Sequence, residues 1–248
     1  MLENKTVILT GANSGIGLAI LKSLLNSGSE VIALVRDKEL SNLENLNNIK
    51  KNHNGRVKVF EINLEDGEAI KTKLLNIIKE HDNISGLVNN AGQIYNGLVQ
   101  MTPKSEFDRM FDINFFAPLS IIQIIIRKMI KKKSGSIVNV SSTSSEDCAI
   151  GRAAYSSSKV ALEVMTKTLA YELGRYNIRA NCVLPGLTNT KLMRENTKDE
   201  IIDEVTKNIA LGRIAEPEEI AELVSFLCSD KASYITAQSI RIDGGMRR

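Results

Sequence analysis

The sequence of 248 residues has few of the residues on which disulfide frameworks, metal sites and histidine-dependent hydrolysis depend. Its three cysteines, Cys148, Cys182 and Cys228, are scattered and form no CxxC pair. We therefore expect no disulfide, no metal site and a reducing, cytoplasmic location. The two histidines, His53 and His81, lie in polar stretches predicted as helix ends, which disfavours a Ser-His-Asp hydrolase.

The sequence also lacks a strong excess of either charge. It has 32 basic and 29 acidic side chains, whereas nucleic-acid binding needs a concentrated basic face, so we expect none. The one basic cluster, Arg127–Lys128 with Lys131–Lys133, follows an apolar run and is predicted to cap a helix, the alternative being a docking patch for an acidic partner. We expect no signal peptide, because Met1–Lys5 leads directly into a strand, and no membrane contact, because the apolar run Ile121–Ile126 with its flanks looks too short.

Short β-branched segments alternate with longer helical patterns along the whole chain. The segments predicted as strands are 7–10, 31–35, 57–62, 86–89, 136–140, 178–184 and 239–242. The predicted helices are 15–27, with Gly28 as its C-cap, and segments near 40–52, 67–80, 104–133, 154–175 and 217–229.

Nearly continuous apolar strands separated by helices predict a parallel sheet covered on both faces. The predicted fold class is α/β, a doubly wound Rossmann fold with a seven-stranded parallel sheet, in a single domain over residues 1–248. Residues 187–213 are polar and loosely helical. We predict that they form a substrate lid, the alternative being a packed helical hairpin.

A glycine-rich segment, Thr10–Gly17, joins the first strand to the first helix. Gly11 permits a tight turn, Gly15 lets the backbone approach a pyrophosphate, and Gly17 lets the helix pack closely on the strand. Because a helix N-terminus presents free N–H groups to phosphate, this segment predicts dinucleotide binding. The predicted contacts are Gly11, Asn13, Ser14, Gly15, Ile16 and Gly17.

Tyr155 and Lys159 are four residues apart and share one face of a predicted helix. An ammonium group beside a phenol favours phenolate, so we expect the Tyr155 pKa to lie below its ordinary value of about 10 and the phenol to act as a general acid or base near neutral pH. The Ser142 hydroxyl is placed to hydrogen-bond a carbonyl oxygen on which charge develops. Taken alone, the spacing of Tyr155 and Lys159 fits equally well a tyrosine and a lysine that are exposed on a helix and have no catalytic role.

Six segments, in order and at compatible spacing, resemble the short-chain dehydrogenase/reductase family. They are the GxxxGxG turn, Asn89-Asn90-Ala91-Gly92, Asn114, Ser142, the YxxxK pattern of Tyr155 and Lys159, and Pro185-Gly186 with Thr188 and Thr190. The resemblance implies that Asn114, Ser142, Tyr155 and Lys159 are catalytic. It also implies that Lys159 holds the nicotinamide ribose and that Asn114 anchors a water. The further cofactor contacts that it implies are Asn63, Leu64, Asn90, Ala91, Gly92, Pro185, Gly186, Thr188 and Thr190.

The choice between NADP(H) and NAD(H) depends on the residues after the second strand. An acid there would bind the ribose 2′-hydroxyl, and an arginine would bind a 2′-phosphate. Val35 stands where the acid would be, Arg36 follows, and Asp37 is predicted to face away. NADP(H) is therefore favoured. The family's second basic determinant is replaced by Ser14, which leaves NAD(H) open.

Within this family, the C-terminal part resembles the 3-oxoacyl-[acyl-carrier-protein] reductases most closely, in Gly212–Ile214, Glu218–Ala221 and Asp243–Met246. That resemblance implies a substrate carried on acyl carrier protein and a place in fatty acid biosynthesis. It also implies basic residues beside the site that contact the carrier. Lys133 matches one of them, and Arg175 lies one position from the other.

The segment 143–154, which should line the substrate, departs from those reductases. It contains Glu146 and Asp147, which would disfavour an acidic carrier or bind a polar, hydroxylated substrate, and Cys148, predicted as a small packed side chain. Family members with sugar, steroid or alcohol substrates share the C-terminal pattern.

We therefore expect an NADPH-dependent enzyme that reduces a ketone to an alcohol. A short-chain alcohol or sugar dehydrogenase is the first alternative, and a non-catalytic dinucleotide sensor is the second, which the intact set of four catalytic residues disfavours. By resemblance we expect a homotetramer built through the long helices and the C-terminal strand, and the apolar segments Phe115–Met129 and Val160–Leu173 fit such packing.

Overall fold

Seven parallel strands form one sheet in the computed structural model, which describes residues 2–36, 46, 48–49, 51–53 and 55–247. In chain order the strands are β1 (Thr6–Thr10), β2 (Glu30–Val35), β3 (Val57–Glu61), β4 (Ile84–Asn89), β5 (Gly135–Val140), β6 (Ile178–Pro185) and β7 (Ser239–Ile242). The spatial order is β3-β2-β1-β4-β5-β6-β7, so the chain changes direction across the sheet between β1 and β4. All seven predicted strands and the predicted fold class are confirmed.

The helices given below agree with the predicted segments to within a few residues, except that a π-helical turn interrupts the helix predicted near 104–133 and that the short helix Ser144–Asp147 was not predicted. They are α1 (Gly15–Asn26), α2 (Gly67–Lys79), α3 (Lys104–Phe111), α4 (Ala117–Lys132), α5 (Ser144–Asp147), α6 (Ala153–Leu173), α7 (Lys191–Asn196), α8 (Asp199–Lys207) and α9 (Pro217–Cys228). After α1, Gly28 has φ +98°, and Lys133 ends α4 in a left-handed conformation, so the predicted caps are present. Most of the helix predicted near 40–52 lies outside the described residues.

Alternate residues of the strands point into two separate cores, one on each face of the sheet. Val7 and Leu9 of β1 belong to the core formed with α1 and α9, whereas Ile8 belongs to the core formed with α2, α4 and α6. A fully buried Leu or Ile side chain contributes about 1.5–3 kcal/mol to stability. Both cores hold the sheet rigid, so its edges can position side chains.

The continuous helical stretch Lys104–Lys132 is long and apolar enough to cross a membrane by length and composition, with a mean hydropathy of 1.5 over its apolar window. The sequence-based expectation that no apolar run is long enough is therefore wrong by that criterion. Ile121, Ile125 and Met129 are buried against the sheet and its neighbouring helices, as in the core helix of a globular domain.

The segment predicted as a lid, residues 187–213, forms α7 and α8 and is tied down near both ends. Thr188 pairs with Ala215 in an isolated parallel bridge, and Ile209 pairs with Met246 in an antiparallel one. The segment thus forms two short helices on the domain, and its movement as a lid stays a prediction.

Candidate active site

Four neighbouring strands end at the same edge of the sheet, and each is followed by a segment predicted to belong to the site. Gly11 follows β1, Asn90 follows β4, Ser142 lies two residues beyond β5, and Gly186 follows β6. Ligands of open α/β sheets bind at this edge, where the strand order reverses. A cleft of about 740 Å³ lies there. Its lining includes every residue predicted to contact the cofactor, together with Ser142.

The glycine turn leaves no room for side chains. Gly11 and Gly15 have φ of +70° and +49°, in the left-handed region that favours glycine. A Cβ atom on Gly17 would lie 1.9 Å from the Gly11 carbonyl oxygen. Ser14, the N-cap of α1, makes no side-chain capping bond, and the N–H groups of the first turn of a helix have no partner within the helix. These donors suit a pyrophosphate, so the residues fit a dinucleotide.

The asparagine after β4 fastens this turn to the centre of the sheet. The Asn90 side-chain nitrogen donates to the carbonyl oxygens of Thr10 at 3.0 Å and of Gly11 at 3.3 Å. In return, the Thr10 hydroxyl accepts from the backbone N–H groups of Asn90 and Ala91, both at 3.0 Å. The turn is therefore fixed in shape before any ligand arrives.

The end of the cleft beside β2 and β3, where adenosine is expected to bind, is lined by Leu34, Arg36, Asn63 and Leu64. The Asn63 side-chain oxygen accepts from the Glu65 N–H at 3.1 Å, which orients the amide. Arg36 lines the cleft as predicted, while Asp37, predicted to face away, lies outside the described residues.

Tyr155 and Lys159 lie one turn apart on α6, and only 7% and 4% of their surfaces are exposed. The Lys159 Nζ atom donates to the Val140 carbonyl oxygen at 2.9 Å and lies 5.8 Å from the centre of the Tyr155 ring. The Ser142 hydroxyl accepts from the Ser144 N–H at 3.2 Å and lies near enough to the Tyr155 hydroxyl to influence its pKa. The two hydroxyl groups thus meet in the cleft.

Burial raises the pKa of the Tyr155 phenol above its ordinary value of 10.0, although the hydrogen bond to Ser142 and the charge of Arg152 oppose the shift. The prediction that Lys159 lowers this pKa is therefore wrong, because removal of the phenolate from water outweighs the nearby positive charges. Burial also lowers the pKa of Lys159 to about 8, with Cys182 and Glu163 partly offsetting it. The phenol is consequently protonated at neutral pH.

Asn114 lies behind the cleft and is absent from its lining. It belongs to a π-helical turn, Asp112–Phe116, between α3 and α4, the kind of helix irregularity that occurs frequently at functional sites. Its side-chain nitrogen donates to the Gln93 carbonyl oxygen at 3.0 Å and to the Ser158 hydroxyl at 3.1 Å. Asn114 thus braces the segment after β4 against α6, and its predicted water stays a prediction.

Comparison with known proteins agrees with this arrangement of turn, strand ends and buried pair. Residues 11–247 match the sequence model of a family described as Enoyl-(Acyl carrier protein) reductase. The chain is 37% identical to a 3-oxoacyl-[acyl-carrier-protein] reductase of Thermotoga maritima over 99% of this chain and 98% of that protein. The chain belongs to the short-chain dehydrogenase/reductase family. The resemblance inferred from the six motifs is confirmed.

Other relatives extend the comparison. An L-xylulose reductase of Caenorhabditis elegans is 35% identical over 98% of this chain and 95% of that protein. A solved short-chain dehydrogenase/reductase family protein superposes with a TM-score of 0.87 at 29% identity, covering 98% and 97% of the two chains. As a short-chain dehydrogenase/reductase, this protein is an oxidoreductase that acts on CH–OH or C=O groups with a nicotinamide dinucleotide.

Two acidic residues after Ser142, Glu146 and Asp147, belong to an ion cluster with the last strand. The Arg241 guanidinium of β7 lies 2.8 Å from Asp147, 3.0 Å from Glu146 and 2.7 Å from Asp243. Neither Glu146 nor Asp147 lines the cleft. Arg241 therefore holds both acidic groups and ties α5 to the last strand, and the expectation that they repel an acidic carrier or bind a hydroxylated substrate stays a prediction.

Sequence reasoning misplaced one side chain and missed others. Cys148 is exposed and has φ +51°, so the prediction that it packs as a small apolar residue is wrong. The cleft residues that sequence reasoning missed include Gln93, Ile94, Arg109 and Arg152. The cleft residues Lys191, Leu192, Met193, Glu195 and Thr197 belong to the segment predicted as a lid. Arg152 carried a usable signal, because it stands within one helical turn of Tyr155.

The lowered pKa of Lys159 predicts a specific dependence of stability on pH. Its folded-state pKa of about 8 lies below the ordinary value of 10.5, so between these values the unfolded chain binds more protons than the folded one. The cost of burying the ammonium is complete below pH 8 and decreases as the pH rises. We therefore expect the free energy of unfolding of the wild type, relative to Lys159→Met, to increase between about pH 8 and pH 10. Urea unfolding of both proteins at several pH values measures the difference, and a difference that is flat or declines with pH would contradict the assignment.

Proposed function

We propose that the protein is an NADPH-dependent reductase that converts a ketone to an alcohol, with Tyr155 as the proton donor. The observation that carries the proposal is the buried phenol of Tyr155, which lines the same cleft as Ser142 and the glycine turn. A carbonyl oxygen between these two hydroxyl groups would accept a hydrogen bond from each.

Each protein group then has one task. The reduced nicotinamide, when bound, supplies a hydride to the carbonyl carbon. Tyr155 donates its proton to the carbonyl oxygen, and Ser142 stabilises the charge that develops there. The Lys159 ammonium stabilises the phenolate that remains and, by family resemblance, holds the nicotinamide ribose. Asn114 is proposed to anchor the water that returns a proton towards Lys159.

The other predicted residues are proposed to bind the dinucleotide in order along the cleft. The glycine turn takes the pyrophosphate, Arg36 the 2′-phosphate, and Asn63 with Leu64 the adenine. The residues proposed to border the central and nicotinamide parts are Asn90, Ala91, Gly92, Pro185, Gly186, Thr188 and Thr190.

A 3-oxoacyl thioester carried on acyl carrier protein is the substrate that we propose. The support is that relatives such as that of Thermotoga maritima carry this name. In addition, Glu146 and Asp147 are bound by Arg241 and do not line the cleft. The L-xylulose reductase relative makes a sugar the second candidate.

The basic residues expected to contact the carrier lie far from the cleft of their own chain. Lys133 precedes β5 and Arg175 precedes β6, whereas the cleft lies where these strands end. A strand of six residues spans about 20 Å, so we propose that Lys133 and Arg175 serve the cleft of a neighbouring subunit. A carrier site of this kind requires an oligomer.

We accordingly propose a cytoplasmic homotetramer. The outer face of α6 has three exposed apolar side chains, Val160, Val164 and Tyr171, with 42%, 59% and 80% of their surfaces accessible. Phe116, at the end of the π-helical turn, is also exposed. A self-complementary pairing of this face about a two-fold axis would cover these apolar side chains. The edge of β7 supplies the second proposed contact.

Replacement of the phenol tests the proposed reaction. We expect Tyr155→Phe to lower kcat for ketone reduction by about 100- to 10,000-fold, because the proton donor is lost. NADPH binding, measured by fluorescence titration, should be retained. Tyr234→Phe is the matched control, since Tyr234 is fully exposed and should leave the rate unchanged. Substantial reduction by Tyr155→Phe would exclude the proposed role.

Arg36 tests the choice of cofactor. We expect Arg36→Ala to lower kcat/KM for NADPH by about 10- to 100-fold, because a charge-assisted bond to the 2′-phosphate is lost. The value for NADH, which lacks that phosphate, should change little and is the internal control. An unchanged NADPH/NADH ratio would overturn the NADP(H) assignment.

Val164 tests the proposed assembly. We expect Val164→Asp to reduce the molar mass measured by light scattering from a tetramer to a smaller species, because the two-fold pairing would bury like charges. Thr72→Asp, an exposed substitution on α2, is the control. A wild type that is monomeric, or a Val164→Asp variant that stays tetrameric, would refute the interface.

A further inference from the structure

The cleft contains more positive than negative side chains, and most of them have a partner close by. Its charged lining residues are Arg36, Glu65, Arg109, Arg152, Lys159, Lys191 and Glu195. Glu195 lies 3.8 Å from Lys191, and Glu65 lies 3.9 Å from Arg109. Both acidic groups of the lining are therefore already near a cation.

The remaining cations divide between the two ends of the cleft. Arg36 belongs to the adenosine end, and Lys159 donates to the Val140 carbonyl oxygen beneath Tyr155. Arg152 remains, at the end of the cleft that contains Ser142 and Tyr155 and that is proposed to bind the substrate. Among the residues that the structure describes, it makes no ion pair with a carboxylate.

The hydrogen bonds that Arg152 does make are long and go to neutral groups. Its Nη1 atom donates to the Ser144 hydroxyl at 3.4 Å, and its Nη2 atom donates to the Thr197 hydroxyl at 3.5 Å. Typical N–H···O bonds are 2.7–3.2 Å long. A guanidinium has five N–H donors, so a partly buried one with two weak bonds keeps donors for a ligand.

The guanidinium lies beside the place of the reacting carbonyl. The Ser144 hydroxyl accepts from Arg152, and the backbone N–H of Ser144 donates to the Ser142 hydroxyl at 3.2 Å. Arg152 is also near enough to Tyr155 for its charge to act on the phenol. A substrate group that binds Arg152 must therefore stand only a few bonds from the carbonyl held by Ser142 and Tyr155.

We propose that Arg152 is a specificity residue that binds an acyl oxygen of the substrate, a few bonds from the ketone that is reduced. Both a carboxylate and a thioester carbonyl present such an oxygen, and the planar fork of arginine matches a carboxyl group well. The inference rests on the proposed ketone reduction and deepens it. The substrate is an oxo acid or its thioester, and a simple ketone lacks the group that Arg152 binds.

Three ketones that share a methyl ketone group but differ in the acyl group beside it test this inference. Acetoacetate carries a carboxylate, the acetoacetyl thioester of N-acetylcysteamine carries a neutral acyl oxygen, and 2-pentanone carries neither. We expect Arg152→Gln to lower kcat/KM by about 10- to 100-fold for at least one of the two acyl substrates, and to change it little for 2-pentanone. A loss confined to acetoacetate identifies a free oxo acid, and a loss with the thioester identifies a thioester substrate.

The comparison between substrates separates the loss of a contact between Arg152 and the acyl oxygen from a general effect on folding or on Tyr155. A change in the Tyr155 proton or in folding would affect all three ketones equally, so an equal loss with all three would overturn the inference, as would no loss with any. Arg152→Lys, which keeps the charge without the planar fork, should retain part of the acetoacetate activity and gives a second variant if Arg152→Gln does not fold. Arg127→Gln, on the exposed side of α4, is the control and should match the wild type. A wild type that binds NADPH but reduces none of the three would instead refute the proposed function itself.

Discussion

The burial of one ammonium group, that of Lys159, constrains the whole candidate site. An ammonium that leaves water needs hydrogen-bond acceptors, and Lys159 finds one in the Val140 carbonyl oxygen where β5 ends. The groups packed around the Lys159 ammonium have little freedom to change. Glu163 is buried one turn further along α6 and accepts from the Ser141 hydroxyl at 2.7 Å, and a Cβ atom on Gly92 would lie 3.3 Å from the Lys159 Nζ atom. The end of β5, the segment after β4 and the face of α6 are therefore interdependent.

That arrangement gives the phenol and the ammonium opposite responses to the same burial. Tyr155 holds its proton more firmly than an exposed tyrosine, and Lys159 holds its proton less firmly than an exposed lysine. At neutral pH the pair consists of a neutral phenol and a cation, which suits the donation of a proton to a carbonyl oxygen. Within the part of the chain that the structure describes, Arg36 and Arg152 have no carboxylate partner, and they stand at the two ends of the cleft, where a phosphate and an acyl oxygen would lie.

Features that depend on short stretches of sequence were predictable. The strands, the glycine turn before α1 and the helical face shared by Tyr155 and Lys159 each follow from local spacing, and the family motifs placed the cleft residues on the ends of the right strands. Features that depend on distant contacts were not predictable. Arg241 binds Asp147 across 94 positions of sequence, so nothing near Asp147 indicated that it already had an ion-pair partner. The predicted direction of the Tyr155 pKa shift was wrong for a related reason. The spacing of Tyr155 and Lys159 reveals a neighbouring ammonium but does not reveal that the phenol is buried away from water.

The ionisation of Tyr155 tests the central claim most directly. Phenolate absorbs near 295 nm, and the difference between the pH titrations of the wild type and Tyr155→Phe isolates this one side chain. A buried phenol predicts that the difference appears only above pH 10, the ordinary value. A phenolate signal from Tyr155 at neutral pH in the free protein would contradict the account, because the group would then have no proton to donate.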